Sequence, residues 1–433
     1  MVMSAAAGVM LWMIGYRKRS PHILMALALL ASTRFWAFNS VSATEWPLVV
    51  LCATLYAAAY HKYFGDRRRN VLVLLFGLGF IGMLARSDFG VLPFSFFVAA
   101  FAVSLVQKRS EGIRTSLAGF AGALAGLAVL FVHSYVVSGR VLQSSVAMKM
   151  HWSLVAGPGY AGSVRSVFRA LAIDGTGYLI VALLPATLAL IILGFLRRNE
   201  RQRKDNLQFP EMRSHAREAV MMLGAVIAVL GYVFVVYPGS DVLQPWYTSN
   251  LIVPCVLLLV IDAAVIETFL QRWRRSMNLI ATFMVSLLVA VDLVMFQFPG
   301  PSRPLWAHQR AMYEAGVYLR EHPPDGRVGA WNAGVIGYYQ GGSVINLDGL
   351  VNDAVYSFVI RNALPEYLAP QRIHYIADFE AMLSFRFFRV RGGYDRPAFV
   401  RQLQPIRSFP AGAGLWGDLV VFKVVADSGM VKP

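Results

Sequence analysis

Cysteine and acidic side chains are the scarcest features of this sequence. Two cysteines occur in 433 residues. Cys52 and Cys255 both fall inside apolar runs, and neither has a partner at metal-ligand spacing. A multi-bridge disulfide framework and a cysteine zinc site are therefore excluded, and buried inert thiols remain. The sequence also lacks a Walker loop, a nucleophile elbow, a Cys/His pair and any cluster of metal-ligating side chains, so no motif for nucleotide, acyl-transfer or metal chemistry is available. Internal repeats and low-complexity tracts are missing as well. Charge is sparse: 15% of residues are charged and 57% are hydrophobic. A soluble domain of this length needs more polar surface than that, so part of the apolar excess is expected to face lipid.

What charge there is falls in a pattern. Forty basic residues stand against 24 acidic ones, a net +16. The basic residues gather in short stretches, at Arg17 to Arg19, Arg67 to Arg69, Lys108 and Arg109, Arg197 to Lys204, and Arg272 to Arg275. These clusters follow every second apolar run, as the positive-inside rule requires. They are separate loop ends and not one continuous face, so no nucleic-acid partner is expected.

The apolar runs are 2–16, 21–38, 47–63, 71–85, 90–107, 115–136, 177–196, 219–237, 249–267 and 277–296. They predict a polytopic α-helical membrane protein with about ten transmembrane helices over 1–298, followed by a C-terminal extracytoplasmic α/β domain over 299–433. With the basic loops cytoplasmic, the outward segments are 38–46, 85–90, 137–176, 238–248 and everything beyond 297. The first run starts without a polar flank and precedes no small-residue cleavage site, so it does not read as a signal peptide. Beyond it, Asp262, Glu267 and Asp292 lie in or near spans without an Asp/His relay. In the last region Pro301, Pro304, Pro323 and Pro324 punctuate the chain. Residues 306–321 predict an amphipathic helix, 333–339 a short helix, and 327–331, 343–347, 373–377 and 419–425 strands.

The outward segments carry the candidate site residues. Glu45 stands alone in the hairpin 39–47, where a carboxylate can accept bonds from sugar hydroxyls or take a proton; the simpler account is a solvated acid at a helix start, followed by Pro47. Arg86 and Asp88 meet at the edge of 85–90 and can grip a phosphate and orient an acceptor, or simply cap two helices. Arg140 and Lys149 put positive charge on the side that the positive-inside rule disfavours. A lipid-linked phosphate is the partner that explains this, against snorkelling to headgroups. His151 alone reads as structural or solvated. Trp246 and Tyr247 belong to the interfacial aromatic belt or stack on a sugar ring. Asp348, before Gly349 at a strand end, can face a site or close an Asx turn. Gly334 and Gly337 are not spaced as a dinucleotide fingerprint.

Taken in order, these stretches resemble the GT-C class of polyprenyl-phosphate-sugar-dependent glycosyltransferases, which includes bacterial arabinosyl- and mannosyltransferase-like proteins. Ala43 to Leu48 resembles the Gly-Met/Leu-Glu-Thr/Asn-Pro-Leu hairpin of that class, and Leu84 to Asp88 its Leu-x-Arg-Pro-Asp segment. Ser138 to Lys149 resembles its Gly-x-x-x-Pro-Asn-Thr-x-x-x-Lys loop, and Ala333 to Leu350 its Gly-x-x-Gly-Tyr…Asp-Leu-x-Gly-Leu stretch. Ala43 and Thr44, Ser87, and Gln143 to Ser145 depart from those patterns.

The resemblance implies a multi-pass protein of a bacterial plasma membrane that transfers a sugar from a polyprenyl-phosphate donor to an extracytoplasmic glycan, lipid or protein. Lys149, with Arg86 and Arg140, would hold the donor phosphate. Glu45 and Asp88 would act at the sugar or acceptor, and Trp246, Tyr247 and Asp348 would line the substrate. Its partners are membrane lipid and the lipid-linked sugar; no nucleotide cofactor is implied, since the donor arrives activated, and the need for a divalent metal stays open. The class carries an acidic residue in its first long extracytoplasmic loop, and the chain is expected to lack that amino-terminal segment. A transporter or flippase of a lipid-linked substrate, and a non-catalytic scaffold for envelope assembly, are the alternatives.

Overall fold

A computed structural model of the protein describes residues 46–107, 110, 112–155, 164–165, 167–168, 209–237, 251, 253–254, 257–258, 307–412 and 416–425. The chain forms two compact units. One is Met1–Val132 with Tyr160–Phe298; the other is His133–Gly159 with Pro299–Pro433.

The described part of the first unit is helical: α1 (Trp46–Tyr63), α2 (Arg69–Ala85), α3 (Val91–Gln107), most of α4 (Ile113–Ser138), and α6 (Phe209–Gly231), which runs on into a π turn at Tyr232–Val236. These helices are largely apolar, and glycine decides how closely α2 and α4 approach. A Cβ on Gly79 of α2 would lie 2.2 Å from the Gly119 carbonyl oxygen of α4, and one on Gly122 would lie 2.0 Å from the Phe76 carbonyl oxygen. The two backbones therefore touch where both helices lack side chains, a packing driven by van der Waals contact between small residues. Larger groups fill the remaining space. Tyr56, Tyr60 and Phe96 are fully buried, and the Tyr60 hydroxyl is 2.6 Å from Ser116 Oγ, so its polar end is satisfied inside the unit.

The expectation of about ten spans is overturned here. Among the described residues, two helices are long and apolar enough to cross a membrane, Ile113–Ser138 and Ala216–Val236. Helices α2 and α3 are apolar but have 17 residues each, a rise of roughly 25 Å against a hydrocarbon core of about 30 Å. Helix α1 ends in polar His61 and Lys62. Apolar composition alone therefore overcounts spans, because a helix packed inside a bundle passes the same test. The runs 2–16, 21–38, 177–196 and 277–296 lie outside the described residues, as does most of 249–267.

The second unit is built on a five-stranded sheet with the order β2-β1-β3-β5-β4. In chain order it contains α5 (Ser144–Val155), α7 (Ala307–Glu321), β1 (Arg327–Ala330), α8 (Ala333–Gln340), β2 (Ile345–Asn346), α9 (Asp353–Ile360) and α10 (Leu364–Leu368). Then follow β3 (Ile373–Phe379), α11 (Glu380–Ser384), α12 (Arg386–Arg391), α13 (Pro397–Arg401), β4 (Leu403–Phe409) and β5 (Leu419–Val424). Strands β2, β1 and β3 are parallel, with Gly329 opposite both Ile345 and Ile376, whereas β5 runs antiparallel to β3 and β4.

Residue choice explains the layout. Gly329 gives Leu347 room to pack across β1, since a Cβ there would lie 2.7 Å from Leu347 Cδ1. Helix α7 buries Ala311, Ala315, Gly316 and Leu319 along one face, and Gly316 lets it close on α8, since a Cβ there would lie 2.7 Å from the Ile336 carbonyl oxygen. Strand β4 is the exposed edge. Its Pro405 donates no backbone bond, and the register shifts between Pro405 and Arg407, which suits an edge and would break a central strand.

Candidate functional site

In the second unit, the chain leaves β1 for β2 on one side and leaves β3 for β4, beyond β5, on the other. Such a reversal opens a crevice at the carboxyl ends of parallel strands, where open α/β sheets bind ligands. Here the protein fills the crevice itself. Asp378, at the end of β3, is fully buried. Its carboxylate accepts bonds from the backbone amides of Trp331 (2.7 Å), Asn332 (2.9 Å) and Phe379 (2.8 Å), and from Asn332 Nδ2 (2.7 Å). Burial pushes this carboxyl above its usual range, and those donors act in the opposite direction. Trp331 stacks on Tyr394 with ring centroids 4.3 Å apart, and both are buried.

Beside this plug, two of the sequence candidates come together. The turn after β2 places Asp348 ahead of Gly349, whose φ of +72° favours glycine. The Leu350 amide donates to Asp348 Oδ1 at 2.7 Å, closing an Asx turn. Helix α5 rests directly on the turn, because a Cβ on Gly349 would lie 2.4 Å from Met148 Cε. Met148 is fully buried, and the next residue, Lys149, is close enough to act electrostatically on Asp348. Burial raises the Asp348 carboxyl above its ordinary value, while the Leu350 amide, the Asn346 side chain and Lys149 pull it back. On the same helix, burial lowers His151 below the usual imidazole range.

Arg140 fixes the start of α5. Its Nη2 donates to Ser144 Oγ at 2.6 Å and to Asp353 Oδ1 at 3.0 Å, its guanidinium lies 4.0 Å over the Tyr356 ring, and Ser144 itself bonds Asp353. The far end of α5 is held by Trp152, whose Nε1 donates to the Arg391 carbonyl at 2.9 Å while the Arg391 guanidinium covers the indole at 4.4 Å. Arg140 is thus committed to a protein carboxylate and an aromatic face, and its work is to seat the helix that carries Lys149.

Arg86 and Asp88 belong to the other unit. Arg86 Nε donates to Asp88 Oδ1 at 2.8 Å, and both side chains are largely buried. Tyr232, in the π turn that continues α6, donates to the Asp88 backbone carbonyl at 3.0 Å, so the corner between α2 and α3 is pinned to a third helical segment. Glu45, Trp246 and Tyr247 lie outside the described residues. Among the described residues, no group of three His, Cys, Asp or Glu side chains could hold a metal ion.

Several residues that organise the site were not singled out from the sequence. Asp353 follows Asn352 at a helix start, a recognisable N-terminal signal. Arg391 closes an aromatic–basic run from Phe385, and that composition was visible too. Asp378 gave no signal, since one acid at the end of an apolar run does not reveal the four donors the fold brings to it.

Residues 303–421 match a family described as a domain of unknown function (DUF8728). Neither a comparison with curated proteins nor one with solved structures finds a match.

Proposed function

We propose that this protein is a membrane-bound transferase that moves a sugar from a polyprenyl-phosphate donor to an extracytoplasmic glycan, lipid or protein acceptor in a bacterial envelope. The observation that carries this reading is the approach of Lys149 to Asp348 at the carboxyl edge of the parallel strands. The helix bearing Lys149 begins only six residues after α4, a helix long and apolar enough to span a bilayer.

In the transfer, the acceptor hydroxyl attacks the anomeric carbon, the bond to the phosphate oxygen breaks, and the acceptor's proton passes to the departing polyprenyl phosphate. The Lys149 ammonium would offset the charge that grows on the departing phosphate. Asp348 would orient a sugar hydroxyl through its carboxylate, with its charge balanced by Lys149. Arg140 would act as a positioning residue that keeps α5 seated through Asp353.

The test is transfer of label from a synthetic polyprenyl-phosphate sugar in membranes that express the full chain. Lys149→Ala should lower transfer about 100-fold, in the range of losing one transition-state charge stabiliser, and Lys149→Arg should restore part of it. Equal transfer by wild type and Lys149→Ala would sink the proposal.

A specific observation favours a second reading. The switch-point crevice is closed by Trp331, Asp378 and Tyr394, which suits a non-catalytic scaffold of an envelope assembly. Wild-type membranes without transfer, in which the same co-purifying partners survive Lys149→Ala, would favour that scaffold.

A further inference from the structure

We propose that α7 and α8 carry a glycan-binding surface built on Tyr313, Tyr338 and Tyr339, and that a neutral, hydroxyl-rich saccharide chain is its ligand. Binding there requires no sugar transfer by Lys149 and Asp348.

Two helices and one glycine bring the three rings together. Gly316 stands about one turn after Tyr313 on α7, and a Cβ on it would lie 2.9 Å from Tyr339 Cβ. Tyr339 can therefore lie against α7, where its ring meets that of Tyr313 with centroids 4.6 Å apart. Its other neighbour is Tyr338, with centroids 5.0 Å apart. Both contacts are close to perpendicular, at 90° and 84°, so the three rings are continuous without forming one flat table. All stay open to water: Tyr313 is 45% exposed, Tyr339 37% and Tyr338 79%. Single exposed tyrosines are ordinary, but three in contact mark a surface that is covered in use. The chain then turns at Gly341 and Gly342, with φ of +110° and +91°, where an added Cβ would meet nothing within 4 Å. Gln340 Oε1 accepts bonds from the Ser343 amide (3.0 Å) and hydroxyl (2.8 Å), which fixes a side-chain amide beside the rings.

The make-up of the surface selects the ligand. Among the described residues of α7 and α8, the exposed large apolar side chains are these tyrosines, and none is aliphatic. A docking face for acyl chains or for an amphipathic partner helix relies on Leu, Phe or Met anchors. Charge is balanced as well. Helix α7 carries Arg310, Glu314, Arg320 and Glu321, with Arg310 Nε 2.8 Å from Glu314 Oε1, and α8 carries no charged side chain. No surplus charge is present to draw a phosphate or a nucleic acid. The surface thus suits a ligand with apolar ring faces and a hydrogen-bonding rim. A sugar ring has both: its C–H bonds pack on a tyrosine face, and its hydroxyls bond phenols and amides around it.

The surface is separate from the candidate transfer site. Helix α8 runs back from the carboxyl end of β1, and β2 is parallel to β1. The last turn of α8 therefore lies at the amino end of β2, whereas Asp348 follows that strand's carboxyl end.

The experiment is affinity electrophoresis of the full chain in detergent micelles, through gels containing arabinan, mannan or dextran. Dextran sulfate serves as the charged comparison, and no sugar donor is present, so binding is read apart from transfer. At least one neutral polysaccharide should retard the wild-type chain. Loss of one stacked ring should weaken that binding about 2- to 10-fold, which is the effect expected of Tyr338→Ala. Tyr338→Phe, which keeps the ring, should lose less. Tyr313→Ala with Tyr338→Ala should abolish retardation, with unchanged circular dichroism confirming the fold. The proposal is overturned by retardation in no neutral gel, by equal retardation of the wild type and the double variant, or by Tyr338→Phe losing as much as Tyr338→Ala. Retardation by dextran sulfate alone would also overturn it, as ion exchange by a chain of net charge +16.

Discussion

The two units bury polar backbone in opposite ways. In the helical unit the backbone bonds run within each helix, so association turns on close approach, and glycine supplies it between α2 and α4. In the sheet unit the ends of strands leave amides to be satisfied, and one buried carboxylate, Asp378, gathers four donors at the junction of β1 and β3. The first unit is thus sensitive chiefly to volume, with the Arg86–Asp88 pair tying one corner; the second is sensitive to a single acceptor.

The largest effect should come from removing that acceptor. Asp378→Ala strands three backbone amides and one side-chain amide in a dry site, and should cost the sheet unit about 3–5 kcal/mol. Proteolysis across a denaturant series would show the second unit opening early with α2 and α4 still protected. Parallel loss of both units would break the comparison. Next, Gly122→Val should cost the helical unit about 1–3 kcal/mol by overpacking, because its new methyls would displace the Phe76 carbonyl. The sheet unit should melt unchanged.

The smallest effect concerns Asp348, whose carboxyl is raised in the folded protein by burial. A raised pKa means that the folded state binds its proton more tightly than the unfolded chain does. The stability from this group is therefore complete below the unfolded value of about 4 and is lost as pH rises through the folded value. Asp348→Asn removes that loss. The variant should match wild type at pH 3.5 or so and exceed it at neutral pH by no more than about 3 °C in Tm. A variant less stable than wild type at neutral pH would mean that the Lys149–Asp348 attraction outweighs burial.

The sheet was legible where strands are apolar and central. Arg327–Ala330 falls within the expected 327–331, and Ile373–Phe379 overlaps 373–377, because Val328, Ile373, Tyr375 and Ile376 face the core. Strand β4 was not expected. Pro405, Gln404 and Arg407 read as loop, and only pairing with β5 turns that exposed edge into a strand. The spans were overcounted for a related reason: hydropathy registers an apolar environment without distinguishing lipid from neighbouring helices. Lys149 and Asp348 were both picked from local sequence, yet their meeting was invisible there. It depends on Met148 packing onto Gly349 across a separation of about 200 residues, and no periodicity encodes that contact.

That separation sets a timetable for synthesis. Ribosomes add roughly 5–20 residues per second, so α5 emerges on the order of 10–40 s before the turn at Gly349 that receives Met148. Throughout that interval Met148 and Trp152, both held by the sheet unit in the finished protein, have no native surface to cover them. The sheet unit cannot close until the chain between its two parts has been synthesised. Its completion therefore reports that the ribosome has already passed the intervening segment.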